Sequence, residues 1–324
     1  MSIEEIREPV EQELKAVEEE YSSLMESDVR LISDVIRHLK SVKGKRIRSI
    51  ILLLSSGLSG RITAESIKTA AIVELLHTAT LIHDDVVDNS AMRRGAPSIN
   101  SIWNNKLSIL VGDYLFSSVI FSIYALNKSE VTRIIVDVAR NMSQGELMQL
   151  EYGSDFKLDE ATYFDLIKYK TASLISASCE LGALTSSASN LDHIETMRRF
   201  GENLGIAFQI KDDLLDLMGV EKMLGKPVAN DITGKILTLP LIYSLKTSTK
   251  KDHDRIIALL ENDSKSDHLT ELQNFVDENG GIDHATQVAH EYMKRALTYL
   301  ENYDDSKYRR SLINLSSYIL NRDN

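Results

Sequence analysis

Apolar residues recur at three- and four-residue spacing through most of the chain, the period of helices that bury one face. Between residues 9 and 26, Val10, Leu14, Val17, Tyr21 and Leu24 form such a stripe, glutamates fill the other face, and Pro9 is placed to begin the helix. A membrane-surface helix would carry a basic polar face, so this acidic one reads as a packing helix. After the turn Gly57-Leu58-Ser59-Gly60, Thr63 is the expected cap of a helix starting near Ala64 and running to Asp88. Ala70, Ala71, Ile72, Val73, Leu75, Leu76, Ala79, Leu81 and Ile82 leave that helix almost no polar face, which makes it central and buried.

Two helices are expected between Trp103 and Gly153, one opened by Gly112-Asp113 and one holding Gln144-Gly145-Glu146. Another runs over Tyr163 to Thr185, where Ala172, Ser173, Ser176, Ala177, Ser178, Gly182 and Ala183 are small enough for close packing or for a cavity wall. A helix over Gly201 to Met218 follows. Beyond Pro240 several closing helices reach Ile319, broken at Gly280-Gly281, with no legible chemistry. No composition shift divides residues 1–324, so a single domain is expected.

Only 4 prolines and 15 glycines in 324 residues leave little for the turns of an all-β fold, and 43% hydrophobic with 26% charged residues is a soluble globular balance, so the fold class is all-α. A net charge of -11 argues against nucleic acid and against general attraction to anionic membrane. A negatively charged substrate must then meet local basic clusters or metal. The single cysteine, Cys179, excludes an internal disulfide and a thiolate zinc cage and reads as a core thiol. Nothing resembles a signal peptide and no apolar run reaches the ~20 residues of a membrane span, so a cytoplasmic enzyme is the expectation.

Two acidic motifs stand out against this background. Leu81-Ile82-His83-Asp84-Asp85-Val86-Val87-Asp88 and Ile210-Lys211-Asp212-Asp213-Leu214-Leu215-Asp216 each end an apolar helical run with two adjacent aspartates and a third four places after the first. On a helix, positions i and i+4 share a face, so Asp84 with Asp88 and Asp212 with Asp216 form two-carboxylate edges. Asp85 and Asp213 turn about 100° away as supporting acids. Facing edges would repel by about 4 kcal/mol per charge pair at 4 Å, so bridging cations are required. All-oxygen ligation completed by substrate phosphate suits Mg²⁺.

Basic residues accompany the acids. Lys43, Lys45, Arg46 and Arg48 sit at a helix start, where the macrodipole prefers an anion and a bound phosphate would reconcile charge with position. Arg93-Arg94-Gly95 follows the first motif, either salt-bridged to it or gripping phosphate bidentately. Lys170, Lys226 and Lys235 complete the set. His77, two turns before Asp84, projects toward the same face, as a core residue or a ligand contact.

Through Gly44-Lys45-Arg46-Ile47-Arg48, His77 to Asp88, Arg93-Arg94-Gly95, Lys170-Thr171, Phe208 to Asp216 and Gly225 to Pro240, the chain resembles the trans-polyprenyl diphosphate synthases (the polyprenyl synthetase family), most of all the long-chain octaprenyl type. The resemblance implies an antiparallel helical bundle around a deep central cavity, the isoprenoid synthase type I fold, usually as a homodimer. It implies that Asp84, Asp88 and Asp212 hold Mg²⁺ on an allylic diphosphate (farnesyl or geranyl diphosphate), with Asp85, Asp213 and Asp216 in support. Arg93, Lys170, Lys226 and Lys235 would bind the same diphosphate. Isopentenyl diphosphate would meet Lys45, Arg48, His77 and Arg94, with Arg46 nearby, and Thr171 and Gln209 would lie beside the developing carbocation. No stable membrane insertion follows, only transient contact at product release.

Short-chain members of the family typically place an aromatic stopper where Ala79 and Thr80 stand, with Leu76, Val73 and Met142 deeper. Small side chains there lead to the expectation of a long product, about hexa- to octaprenyl, for quinone side chains. Ser49 replaces the family's usual proline and Thr233 a common acidic residue. The competing readings are a farnesyl or geranylgeranyl diphosphate synthase, a class I terpene cyclase, an HD-type metal phosphohydrolase built on His83-Asp84, and a non-catalytic subunit of a heteromeric synthase. A cyclase lacks the second aspartate motif, a hydrolase leaves Asp212 to Asp216 unexplained, and a silent subunit would be expected to lose ligands.

Overall fold

The computed structural model describes residues 2–42, 44–153, 158–218, 237–261 and 268–322. In chain order its helices are α1 (Ile3–Arg7), α2 (Glu11–Leu24), α3 (Arg30–Ser41), α4 (Ile47–Ser59), α5 (Ala64–Val87), α6 (Ile99–Ile102), α7 (Asn105–Leu126), α8 (Ser129–Gly153), α9 (Glu160–Ile167), α10 (Ser173–Leu184), α11 (Leu191–Leu217), α12 (Leu239–Thr247), α13 (Lys250–Glu261), α14 (His268–Glu278), α15 (Gly281–Thr298) and α16 (Lys307–Asn321). Among the described residues the strands are β1 (Met92–Arg93) and β2 (Ala96–Pro97), an antiparallel pair in the loop after the first acidic motif. The all-α expectation holds.

The bundle is built around α5. Thr63 accepts from the Ser66 N–H while the Ser66 hydroxyl takes the Thr63 N–H, so the helix starts at the expected cap. Its apolar residues are buried on nearly every side, against α2, α4 and α7. The small residues of α10 serve close packing against α4 and α11: a Cβ on Gly182 would lie 2.3 Å from the Leu52 carbonyl oxygen. A second apolar cluster lies among α9, α11 and α12 to α15.

Several boundaries differ from the sequence reading. The predicted helix from residue 9 starts at Glu11, after a 3-10 turn (Glu8–Val10) that contains Pro9. Gly112-Asp113 lies inside α7, whose cap is Asn104, accepting from the Leu107 N–H at 2.9 Å. α11 begins at Leu191 rather than Gly201, because Met197 and Phe200 are core residues beneath a charged outer face. The segment from Tyr163 is not one α-helix: between α9 and α10 it opens into a π-helical turn, Lys168–Ala172.

One helix is longer and more apolar than the sequence reading expected. α7 is 22 residues long with a mean hydropathy of 1.8, long and apolar enough to cross a membrane, although 33% of its apolar window is buried in the bundle. Its other face exposes Ile109, Leu110, Ile120, Phe121 and Tyr124, and α8 also exposes Val136, Leu147 and Leu150.

Candidate active site

A cavity of about 650 Å³ opens between α5, α8, the π turn and α11. On α5 the helical period turns His77, Thr80, Leu81, Asp84 and Asp88 toward it. Met142, Glu146, Leu147, Gln149 and Leu150 of α8 form one wall, Lys170 and Thr171 another, and Phe208, Gln209, Asp212 and Asp213 of α11 face α5. The two acidic motifs, distant in sequence, thus address one space.

Their members divide as the helical phase requires. Asp84 and Asp88 stand one turn apart, joined by the Asp88 N–H to Asp84 carbonyl bond at 2.8 Å. Burial, then the charges of Glu146 and Asp88, push the Asp84 carboxyl up to about 7 against the opposing pull of Lys170 and Arg93. Asp85, buried, instead accepts from Arg93 Nε at 2.8 Å and Nη2 at 2.5 Å. Of the two readings of Arg93, the salt bridge is present, and the residue still lines the cavity.

On α11, Asp213 is buried in a chain of short bonds: Tyr163 Oη donates to its Oδ2 at 2.6 Å and Gln209 Nε2 to its Oδ1 at 2.7 Å, and Thr171 Oγ1 donates to Gln209 Oε1 at 2.7 Å. Asp213 thereby orients the amide and hydroxyl that the resemblance sets beside the carbocation. Asp216 does not line the cavity. Asp212 does, and Arg322, just past α16, donates to its Oδ1 while lying 4.3 Å over the Phe208 ring.

The basic end is more crowded than its motif suggests. Arg46 and Arg94 both take left-handed backbone, φ 53° and 52°, a conformation that costs non-glycine residues about 1–2 kcal/mol. The helix-start argument for a bound phosphate needs correction: Glu74, buried on α5, accepts the Ser49 N–H at 3.1 Å in the first turn of α4 and lies 3.6 Å from Arg46. The helix start therefore has an internal anion. The departure Ser49 matters here, because a proline would have no N–H to give.

Arg46 is further engaged by Glu18 at 2.9 Å and by the Tyr21 ring at 4.2 Å. Arg48 reaches the cavity. Burial pulls its guanidinium down to about 10 despite Glu74, and its Nε is buried without a hydrogen-bond partner. Burial and then Arg48, Arg94, Arg93 and Arg46 hold His77 well below its ordinary value. Such crowding of cations around Arg48 and His77 is relieved by an anion.

Some predicted residues sit elsewhere. Lys45 donates to Tyr318 Oη at 2.8 Å and faces a separate groove beside α2. Arg94 lines a small adjoining pocket, its guanidinium packed so close to Gly44 that a Cβ there would lie 2.2 Å from it. Ala79 and Leu76 are fully buried in the core and do not line the cavity: Ala79 points away from the face of Thr80 and Asp84, whereas Leu76 shares that face one turn before Thr80. Of the chain-length candidates, Thr80 and Met142 line it. Lys226 and Lys235 lie outside the described residues.

Glu146, Gln149 and Tyr163 line the cavity and Arg322 reaches Asp212, although the sequence reading gave none of them a site role. Glu146 and Gln149 follow Gly145 in α8, flanking Leu147 and Met148. Nothing local marks Arg322.

The donor chemistry fits a hard divalent cation. Asp84 sits among the negative charges of Glu146 and Asp88, and Asp212 holds a guanidinium. Among the described residues no three His, Cys, Asp or Glu side chains form a ready cage. His83, the key to the hydrolase reading, turns its Nε2 to the Ile109 carbonyl at 3.3 Å and to Asp113 at 3.4 Å.

Comparison with known proteins agrees with this geometry. The chain is 32% identical over 308 residues to heptaprenyl diphosphate synthase component 2 of Bacillus subtilis, covering 95% of this chain and 87% of that one. It is also 32% identical to a short chain isoprenyl diphosphate synthase of Methanothermobacter thermautotrophicus, covering 94% and 97%. A polyprenyl synthase from Caulobacter crescentus, solved in complex with calcium and isoprenyl diphosphate, superposes with a TM-score of 0.93 at 30% identity, over 99% and 98% of the two chains. Residues 29–276 match the profile of the polyprenyl synthetases, and the chain belongs to the polyprenyl synthetase family.

Proposed function

We propose that the protein is an all-trans polyprenyl diphosphate synthase that condenses isopentenyl diphosphate head-to-tail onto an allylic diphosphate. The observation that carries this reading is the cavity itself: carboxylates of two motifs at one side, unpaired Arg48 and cation-ringed His77 at another, and apolar walls between. Calcium and isoprenyl diphosphate in the Caulobacter relative support the pairing of cation with diphosphate.

Asp84, Asp88 and Asp212 would hold Mg²⁺, which when bound supplies positive charge to the oxygens of the departing diphosphate. Lys170 and Arg93 meet the same oxygens as the allylic C–O bond breaks and the electron pair leaves with pyrophosphate. Arg48 and His77 hold isopentenyl diphosphate so that its double bond attacks the allylic carbon. Thr171 and Gln209, fixed by Asp213, present oxygens toward the resulting positive charge. The proton lost in forming the new double bond passes to the released pyrophosphate, so no protein base is needed. Leu158, Leu166 and Ile167, buried residues of the cavity wall, keep water from the cation.

A long product, about hexa- to octaprenyl, is the finer reading, supported by Thr80 being the small residue on the cavity face of α5. Relatives of both short and long products bear no preference. The exposed apolar face of α7 and α8 suits a second copy of the chain, since a helix apolar on both sides is stable in water when both are covered. Consumption of isopentenyl diphosphate by the isolated chain, dependent on an allylic primer and abolished by chelation, tests the reading. Hydrocarbon release from geranylgeranyl diphosphate alone would favour a cyclase, and inactivity without a second protein a heteromeric subunit.

A further inference from the structure

Glu146 has no part in the reading above, yet it faces the cavity beside the reacting groups. Lys170 Nζ donates to Glu146 Oε1 at 2.8 Å and to Gln149 Oε1 at 2.8 Å. An ammonium has three N–H donors in tetrahedral array, so two fixed acceptors determine where the third points. The backbone enforces the same approach. A Cβ on Gly145 would lie 2.8 Å from the Lys170 amide nitrogen, so α8 touches the chain at Lys170 itself. Lys170 also lies in the π turn Lys168–Ala172, whose extra residue per turn re-aims side chains relative to a regular helix.

We infer that Glu146, with Gln149, is a positioning residue that clamps Lys170 so that its remaining N–H is aimed at the leaving diphosphate. The inference deepens the proposed function and rests on its assignment of Lys170. A free lysine side chain carries about 2 kcal/mol of rotamer entropy, and the clamp removes that freedom before substrate arrives. Glu146 also favours the charged form of Lys170. Burial works against the ammonium, and Glu146 first, then Asp84 and Asp88, more than reverse it.

The test measures kcat and KM for the allylic diphosphate in Glu146→Ala, Glu146→Gln, Lys170→Ala and the double variant Glu146→Ala/Lys170→Ala, together with acylation of Lys170 by acetic anhydride, read by mass spectrometry. Glu146→Ala should lower kcat on the order of 10- to 100-fold, the cost of misplacing a catalytic group, with KM changed less than about 3-fold. Glu146→Gln, which keeps an acceptor oxygen in place, should restore most of that loss. The double variant should be within about 3-fold of Lys170→Ala alone, because the two residues act as a unit. Lys170 should acylate several-fold faster in Glu146→Ala than in the parent.

An equal loss from Glu146→Ala in both backgrounds, or a Gln variant as slow as Ala, overturns the inference while leaving the proposed function standing. Unchanged kcat in Lys170→Ala overturns both roles of that lysine. If the parent chain transfers no prenyl group, labelling decides alone: faster acylation of Lys170 in Glu146→Ala upholds the clamp, and an unchanged rate overturns it.

Discussion

Arg322 donates a hydrogen bond to Asp212 across 110 residues of sequence, placing a guanidinium from the end of the chain on a carboxylate of the second acidic motif. Its side chain is 12% exposed, and it also donates to the Phe208 carbonyl at 3.3 Å. A fixed cation here stands where the proposed function puts a metal.

Removing it should therefore have two effects. Arg322→Ala should lower the stability of the metal-free protein by about 1–3 kcal/mol, the cost of leaving a charged acceptor short of its donor. It should also enlarge the stabilisation gained on adding Mg²⁺. Thermal melts with and without Mg²⁺ read both, and an unchanged metal response would deny the competition.

The bond from Tyr163 to Asp213 makes a second prediction. Tyr163→Phe removes a buried donor without changing shape, so it should cost about 1–3 kcal/mol in denaturant unfolding. Because Asp213 also fixes Gln209, kcat should fall while KM for isopentenyl diphosphate changes little. A loss confined to KM would contradict this arrangement.

Chain length should follow the face of α5. Thr80→Phe places an aromatic ring in the cavity and should shorten the product while sparing the first condensation. Ala79→Phe instead overpacks the core and should destabilise by about 1–3 kcal/mol. Product chromatography and thermal melting of the pair separate the two positions; a shortened product from a fully stable Ala79→Phe would reverse the assignment.

His77 supplies a pH dependence. Burial and the neighbouring arginines hold its folded-state value well below 6.5, so below that pH the unfolded chain binds a proton that the folded one refuses. The stability at stake is intact above about pH 6.5 and falls as pH drops toward the folded value, by at most about 1.4 kcal/mol per unit. His77→Asn should lose less stability than the parent between pH 7.5 and 5.5 in chemical denaturation. Equal losses would show the imidazole to be unperturbed.

The sequence made α5 legible to within a residue, because a buried helix with a capping threonine and an acidic terminus carries its own boundaries. The division of the first motif into Asp84 and Asp88 against Asp85 followed from the same period. Ala79 was read by depth along the helix, and the phase sets it in the core, one residue from the cavity-lining Thr80. The π turn hid the Lys170 clamp, because its extra residue breaks the period on which such readings depend. Glu74, 25 residues from Ser49, and Arg322, 110 from Asp212, act through tertiary contacts that no local pattern encodes.

The measurement that bears most directly on the central claim is product length from the purified chain given Mg²⁺, isopentenyl diphosphate and farnesyl diphosphate. The cavity and its small Thr80 predict successive condensation to all-trans products beyond C20, in the hexa- to octaprenyl range, with one pyrophosphate released per unit added. Farnesyl diphosphate recovered without extension would contradict the proposed synthase, and elongation that stops at C20 would contradict the long-chain reading.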